Sequence, residues 1–157
     1  MFRHGEHVLL RQRERAHGSA VAAACTVKGH AMDSYRQGLE VLTGMLGTDR
    51  AAAVVEKFRS LSPVFEQEAV SVVFGRTWAR GGIDLKTRSL CSIGILASLG
   101  RINALKINYT LAFENGASLE EITEVLLQVG VYAGYPAALD ALSLLDEVVR
   151  HVPPESR

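Results

Sequence analysis

Apolar residues recur at intervals of three and four positions through most of the chain, and glycine or short polar segments separate the periodic stretches. This pattern predicts helices, because no segment alternates apolar and polar positions with the period of a strand. The predicted helices begin near Ser34, Asp49, Pro63, Asp84, Asn103, Ser118 and Gly134. The sequence therefore predicts an all-α bundle of six or seven helices joined by short loops.

Residues that favour helix ends mark several of these boundaries. Ser62 precedes Pro63, which can occupy a first helical position because its missing N–H costs nothing there. This pair predicts a third helix from about Pro63 to Arg80. Ser118 and Glu121 have the spacing of a capping box, in which each side chain accepts a hydrogen bond from the backbone of the other.

The predicted helix from Leu85 to Leu99 is apolar on more than one face. Asp84 precedes it as a capping acceptor, and Gly100 follows its last apolar residue. A helix of this kind belongs in the interior of a bundle or beneath a subunit interface. We therefore expect it to form the core.

The two ends of the chain lack this periodicity. We interpret residues 1–31 as a flexible N-terminal extension, or as the product of an upstream start codon with Met32 as the alternative start. The predicted domain spans residues 32–152, and residues 153–157 form a C-terminal tail. Four of the five histidines lie in the extension, but their irregular spacing does not favour a metal site.

The formal net charge of +0 is unevenly distributed. Of the 17 basic and 17 acidic residues, five basic and two acidic ones lie within residues 1–31, so the predicted domain is mildly acidic. Such a surface offers few contacts to phosphate, which argues against nucleic acid as a partner. No apolar run reaches the ~18–20 residues of a membrane span, and we expect a cytoplasmic protein without membrane contact.

The two cysteines, Cys25 and Cys91, are far apart and form neither a CxxC pair nor a disulfide framework. We expect Cys91 to be a small buried hydrophobic residue. Apolar surroundings would raise the pKa of its thiol and oppose a nucleophilic role.

Four segments carry a resemblance to a known family, in the family's order and at matching separations. They run from Phe74 to Arg88, from Leu105 to Gly116, from Glu120 to Gln128 and from Val131 to Ala138. Through them the chain resembles the carboxymuconolactone decarboxylase family over roughly residues 35–149.

The resemblance implies an all-helical, alkylhydroperoxidase-D-like fold that assembles as a homotrimer or a homohexamer. The namesake enzyme removes carbon dioxide from 4-carboxymuconolactone in the β-ketoadipate pathway of aromatic breakdown, and it needs no metal or organic cofactor. Peroxide reductases of this fold use a CxxC pair with a nearby histidine, which this chain lacks. The resemblance therefore implies a cofactor-free decarboxylase that acts on a small anionic substrate.

The chain departs from the family pattern at four positions. Family decarboxylases usually carry glutamate at the position of Arg76, proline at Gly81, histidine at Asn108 and arginine at Thr110. Because residues 31–150 contain no histidine, imidazole acid–base chemistry in the domain would need a histidine from outside that stretch.

Loss of carbon dioxide beside an electron sink leaves a developing enolate, which needs cations or hydrogen-bond donors and then a proton. Arg76 and Arg80 lie four positions apart on one predicted helix, and Arg88 opens the next. We assign Arg76 to catalysis, and Arg80 and Arg88 to binding a carboxylate-rich substrate through bidentate hydrogen bonds. The alternative is that they pair, within the bundle or at a subunit contact, with Glu66, Glu68 or Asp84.

Polar and aromatic residues complete the candidate site. Asn108 could orient or polarise a substrate, although a carboxamide cannot exchange a proton near neutral pH. Tyr109, Tyr132 and Tyr135 could donate a proton if a nearby cation lowered their pKa, and otherwise they pack their rings. Asn108 and Tyr132 join the candidate catalytic residues, and Tyr135 and Trp78 the substrate-binding residues. Trp78 could line the mouth of a pocket or fill the core.

Three functions remain open at this point. The first is cofactor-free decarboxylation of 4-carboxymuconolactone or a similar anionic lactone. The second is a diverged enzyme of the same fold that acts on another ring substrate in secondary metabolism, and the third is a non-catalytic assembly or small-ligand-binding protein. Under all three, the apolar surface of the helices predicts a symmetric homo-oligomer.

Overall fold

The computed structural model describes residues 33–151, which consist of helices and short loops without any strand. Helix α1 covers residues 33–46 and is followed by α2 (Thr48–Leu61), α3 (Pro63–Glu68), a π-helix (Ala69–Trp78), α4 (Leu85–Ser98), α5 (Ile102–Glu114), α6 (Leu119–Ala133) and α7 (Tyr135–Val149). The all-α prediction is confirmed. The predicted extension, the alternative start at Met32 and the predicted tail lie outside the described residues. Across residues 33–151, no helix combines the length and apolar character that crossing a membrane requires.

Capping side chains begin three of the helices, as predicted. Ser62 caps α3 through its hydroxyl group. At the start of α4, the Asp84 carboxylate accepts from the Thr87 N–H at 2.6 Å, and this hydrogen bond lowers the pKa of Asp84. The capping box of α6 is present, since the Glu121 N–H donates to Ser118 Oγ at 3.1 Å and the Ser118 N–H donates to the Glu121 carboxylate at 2.9 Å.

Two helices begin close to the predicted residues, and one differs in type. Helix α1 includes Ser34, and helix α5 begins at Ile102, one residue before Asn103. The single helix predicted over residues 63–80 is instead α3 followed by the π-helix.

The buried apolar side chains form two clusters. The first cluster lies among α4, α5, α6 and α7 and includes the fully buried Ile93, Leu105 and Tyr109. The second cluster lies among α1, α2 and the π-helix and includes Leu42 and Trp78. Residues 33–151 therefore contain two cores, with α4 and α5 facing α1, α2 and the π-helix across a cavity.

Helix α4 is buried along one side only. Ser89, Ile93 and Ala97 are buried, whereas Ile95 is 60% exposed and Cys91 is also exposed. The prediction that Cys91 is buried is wrong, because this residue lies ~200° around the helix from Ser89 and Ile93. The expectation that α4 lies wholly in the interior therefore fails for the single chain. The predicted homo-oligomer stays a prediction.

Helix α1 crosses the π-helix at a distance that excludes side chains at two positions. A Cβ atom on Gly38 would lie 2.2 Å from the Val70 carbonyl oxygen, and one on Gly75 would lie 1.8 Å from the Ser34 carbonyl oxygen. The π-helix backbone therefore approaches α1 at Gly38, and the α1 backbone approaches the π-helix at Gly75. Apolar periodicity does not reveal such a tertiary contact, and the sequence accordingly predicted an ordinary α-helix where the π-helix lies.

We expect Gly38→Ala to lower the free energy of unfolding by about 1–3 kcal/mol, because its methyl group would overlap the Val70 carbonyl. Gly44→Ala, on the same helix, is the matched control. A Cβ there meets no atom within 4 Å, and alanine in a helix is favoured over glycine by roughly 0.5–1 kcal/mol. Urea unfolding followed by circular dichroism measures both variants. Equal free energies for Gly38→Ala and the unmodified chain would contradict the close crossing.

Candidate functional site

A cavity of about 750 Å³ lies between the two apolar clusters. Its apolar wall consists of Leu42, Leu46, Ala53, Val54, Phe58, Val73, Phe74, Trp78, Ile95, Leu96, Ala104, Ile107 and Leu111. Its polar residues are Arg50, Ser92, Asn108 and Thr110. Pockets that bury small ligands have volumes of roughly 300–1,000 Å³. We therefore take this cavity as the candidate functional site.

Arg50 is the one cation among the described residues that line the cavity, and it was not among the residues predicted from the sequence. It lies on α2 in register with Ala53, Val54 and Phe58, at the spacing of one helical face. Its Nη1 atom lies 2.5 Å from Glu114 Oε1 on α5, and the two side chains are 52% and 38% exposed. An arginine in line with an apolar helical stripe is the signal that could have identified it.

Asn108 lines the cavity from α5. Its Nδ2 donates to the Ala104 carbonyl oxygen at 2.9 Å, and its amide oxygen has no hydrogen bond among the described residues. Ser92 lines the same cavity from α4, where its hydroxyl donates to the Arg88 carbonyl oxygen at 3.0 Å. Asn108 can therefore accept a hydrogen bond from a ligand, but it cannot supply or remove a proton near neutral pH.

Trp78 both fills the second cluster and lines the cavity. Its side chain is 9% exposed, and its ring centroid lies 6.1 Å from that of Phe74. The two uses considered for this residue are therefore combined. Because it is the only tryptophan in the sequence, its fluorescence reports on this site.

The three arginines selected from the sequence do not line this cavity. Arg76 is exposed, Arg80 borders a second cavity beside the start of α4, and Arg88 Nη2 donates to the Arg80 carbonyl oxygen at 3.0 Å. Within residues 33–151 none of them forms an ion pair with a carboxylate, so the alternative pairing is not found inside the single chain. Their roles in catalysis and binding stay predictions.

Tyr132 and Tyr135 lie where α6 meets α7, outside the lining of the cavity. Tyr132 is 82% exposed and borders a shallow depression that also contains Cys91. Tyr135 is 72% exposed and borders another depression beside Leu139. The single chain brings neither tyrosine to Asn108, and their assigned roles stay predictions.

Tyr109 does not meet the condition set for a tyrosine proton donor. It is fully buried in the first cluster, and its hydroxyl donates to the Ala141 carbonyl oxygen at 2.8 Å. Burial raises the pKa of this hydroxyl far above its ordinary value, and no cation lowers it. Tyr109 is therefore a core residue that the candidate site does not use.

Within residues 33–151 no group of three or more histidine, cysteine, aspartate or glutamate side chains is placed to bind a metal ion. The polar groups that line the cavity are one guanidinium, one carboxamide and two hydroxyls. Such groups donate hydrogen bonds to carboxylate and carbonyl oxygens. The polar chemistry of the cavity is therefore suited to an anionic ligand.

We expect Tyr109→Phe to lower the free energy of unfolding by about 1 kcal/mol at pH 8, because it removes the hydrogen bond to Ala141. The raised pKa makes the contribution of this hydroxyl fully present below the unfolded tyrosine pKa of about 10 and lost as pH rises above it. The difference between the variant and the unmodified chain should therefore shrink between roughly pH 10 and 11.

Urea unfolding at several pH values measures this difference. Tyr132→Phe is the control, since its exposed hydroxyl makes no hydrogen bond among the described residues. A Tyr109→Phe difference that grows with pH would contradict the assignment.

The sequence of this chain is similar to those of known proteins. The sequence profile of the carboxymuconolactone decarboxylase family matches residues 63–147. The chain is 34% identical over 116 residues to the 4-carboxymuconolactone decarboxylase of Acinetobacter baylyi, across 74% of this chain and 87% of the relative. It is 24% identical over 115 residues to the nitrosuccinic acid decarboxylase of Metarhizium robertsii, across 73% of this chain and 80% of that protein. The chain belongs to the carboxymuconolactone decarboxylase family.

Proposed function

We propose that this protein is a cofactor-free decarboxylase that removes carbon dioxide from a small anionic lactone or a related carboxylate. The observation that carries the proposal is the cavity, in which one arginine, one carboxamide and two hydroxyls lie in a mainly apolar wall. Membership of the family, and the activities for which the two relatives are named, support this reaction class. Those relatives are named for two different substrates, which supports a scaffold that serves more than one decarboxylation.

The apolar wall contributes to the proposed reaction by excluding water. The substrate carboxylate holds its negative charge on two oxygens, whereas the charge spreads over more atoms as carbon dioxide leaves. A wall with few hydrogen-bond donors disfavours the concentrated charge more than the spread charge. The apolar part of the wall therefore favours the transition state over the bound carboxylate.

Arg50 supplies the electrostatic part of the proposed mechanism. When the bond to the carboxylate carbon breaks, carbon dioxide departs and the electron pair moves onto a neighbouring carbonyl oxygen to form an enolate. The guanidinium of Arg50 can pair with the substrate carboxylate and also hold the neighbouring carbonyl oxygen, onto which the charge moves as carbon dioxide leaves. Its partner Glu114 holds the guanidinium beside the cavity in the absence of substrate.

Asn108 and water complete the proposed cycle. The free amide oxygen of Asn108 can accept a hydrogen bond from a substrate hydroxyl and so orient the ring. The proton that returns to carbon comes from water, because no described residue of the cavity wall is an acid that titrates near neutral pH. The substrate must therefore contain its own electron sink beside the carboxylate.

Arg50→Met is expected to lower kcat/KM by about 10²–10³-fold, the usual cost of removing one donor to a developing oxyanion. The measurement is carbon dioxide release by the purified protein from a panel of lactone and β-keto carboxylates that includes 4-carboxymuconolactone. Arg36→Met is the matched control, because Arg36 is exposed on α1 and outside the cavity wall. Absence of release from every substrate, or full activity of Arg50→Met, would overturn the proposal.

Asn108→His is expected to increase turnover of 4-carboxymuconolactone, because it places an imidazole with a pKa of about 6.5 in the cavity wall. Ultraviolet absorbance follows the lactone. Asn103→His, at an exposed position of the same helix, is the control. Activity of the variant alone would favour a scaffold adapted to a different substrate. Equal rates for both histidine variants would contradict a role for position 108.

A further inference from the structure

The cavity distributes its polar groups unevenly. Four of its lining residues are polar, and the rest of the wall is aliphatic or aromatic. Arg50 brings the single formal charge of the wall, and it lies at the open side, where its side chain is 52% exposed. A ligand that matches this wall has one anionic group at one end and an apolar body.

Among residues 33–151, the cavity lining offers no cation to a second carboxylate. Arg76, Arg80 and Arg88 lie outside its lining, and Ser92 already donates its hydroxyl proton to the Arg88 carbonyl oxygen. An anion buried against apolar side chains without a partner is strongly disfavoured. The wall therefore discriminates against small dicarboxylates, of which 4-carboxymuconolactone is one.

We propose that the cavity binds a monocarboxylate with an extended apolar body, whose carboxylate pairs with Arg50 at the cavity edge. This inference rests on the proposed function, since it names the substrate class for the same site. The volume of about 750 Å³ supports it, because it exceeds what a small lactone fills and lies within the range of sites for drug-sized ligands.

Glu114 sets the selectivity of Arg50 in this arrangement. It holds Arg50 Nη1 at 2.5 Å, and the half-exposed ion pair contributes little free energy of its own. A ligand carboxylate can therefore exchange with Glu114 at small cost, while burial of the apolar body supplies most of the affinity. A neutral ligand of the same shape leaves the ion pair in place and does not use Arg50.

The test measures binding by isothermal titration calorimetry with octanoate, decanoate, 1-decanol and decanedioate, and follows Trp78 emission in parallel. Each buried methylene strengthens binding about fourfold, so decanoate should bind at least about tenfold more tightly than octanoate. Decanedioate should bind at least about 30-fold more weakly than decanoate, because its second carboxylate enters the apolar wall. Decanoate and 1-decanol should both change Trp78 emission, since this ring lines the cavity.

Three variants test whether the decanoate carboxylate pairs with Arg50. Arg50→Met should weaken decanoate binding about tenfold and leave 1-decanol unchanged, because only the anion uses the guanidinium. Glu114→Gln should strengthen decanoate binding about threefold, since it removes the competing carboxylate. Arg36→Met, whose side chain pairs with carboxylates on its own helix, should leave every affinity unchanged.

Equal affinities for decanoate and decanedioate, or an unaltered decanoate affinity in Arg50→Met, would overturn the inference. So would the absence of any decanoate binding, which is the result expected if a second copy of the chain fills the cavity. Carbon dioxide release measured on the same preparations separates the two proposals. Release from small dicarboxylate lactones without decanoate binding refutes the inference alone, whereas decanoate binding without release from any carboxylate refutes the proposed function alone.

Discussion

The crossing of α1 over the π-helix is the contact on which the cavity depends. Gly38 and Gly75 allow the two backbones to meet without intervening side chains. This contact brings Leu42 of α1 into the same cluster as Phe74 and Trp78 of the π-helix, so that all three form one wall of the cavity. A larger separation between the helices would spread that wall and admit water. The shape of the site is therefore set by backbone contacts that contain no functional group.

Contacts of polar side chains connect α1 and α2 to α5. Asn115 Nδ2, just after α5, donates to Ser89 Oγ on α4 at 2.9 Å and lies 3.6 Å from Met45 Sδ on α1. The ion pair between Arg50 and Glu114 links α2 to α5 one residue earlier in the chain. Because these contacts gather at one end of α5, the rest of the space between the two clusters stays open. The cavity is the space between the two clusters that these contacts do not fill.

Capping residues in the sequence predicted the helix ends well, but the sequence predicted few of the residues that line the cavity. The caps at Asp84 and Ser118 need only residues three positions apart, so they could be read without the fold. The π-helix and the position of Arg50 depend on how distant helices pack, which periodicity does not contain. Cys91 shows the same limit, since apolar residues on several faces of α4 concealed which face is buried. The family resemblance identified Asn108 and Trp78, which line the cavity, and also Arg76, which does not.

If the proposed reaction takes place in this cavity, an asparagine at position 108 limits where the catalytic free energy can come from. A site with an imidazole can lower the barrier by moving a proton, whereas Asn108 and Arg50 can only orient the substrate and stabilise charge. Such a site depends on its apolar wall, because water in the cavity would solvate the carboxylate and reduce the advantage of the transition state. The substrate must then displace water from the apolar wall by its own bulk. In the proposed reaction, an apolar body on the substrate would therefore perform two tasks, since it would supply the binding free energy and create the environment in which Arg50 acts.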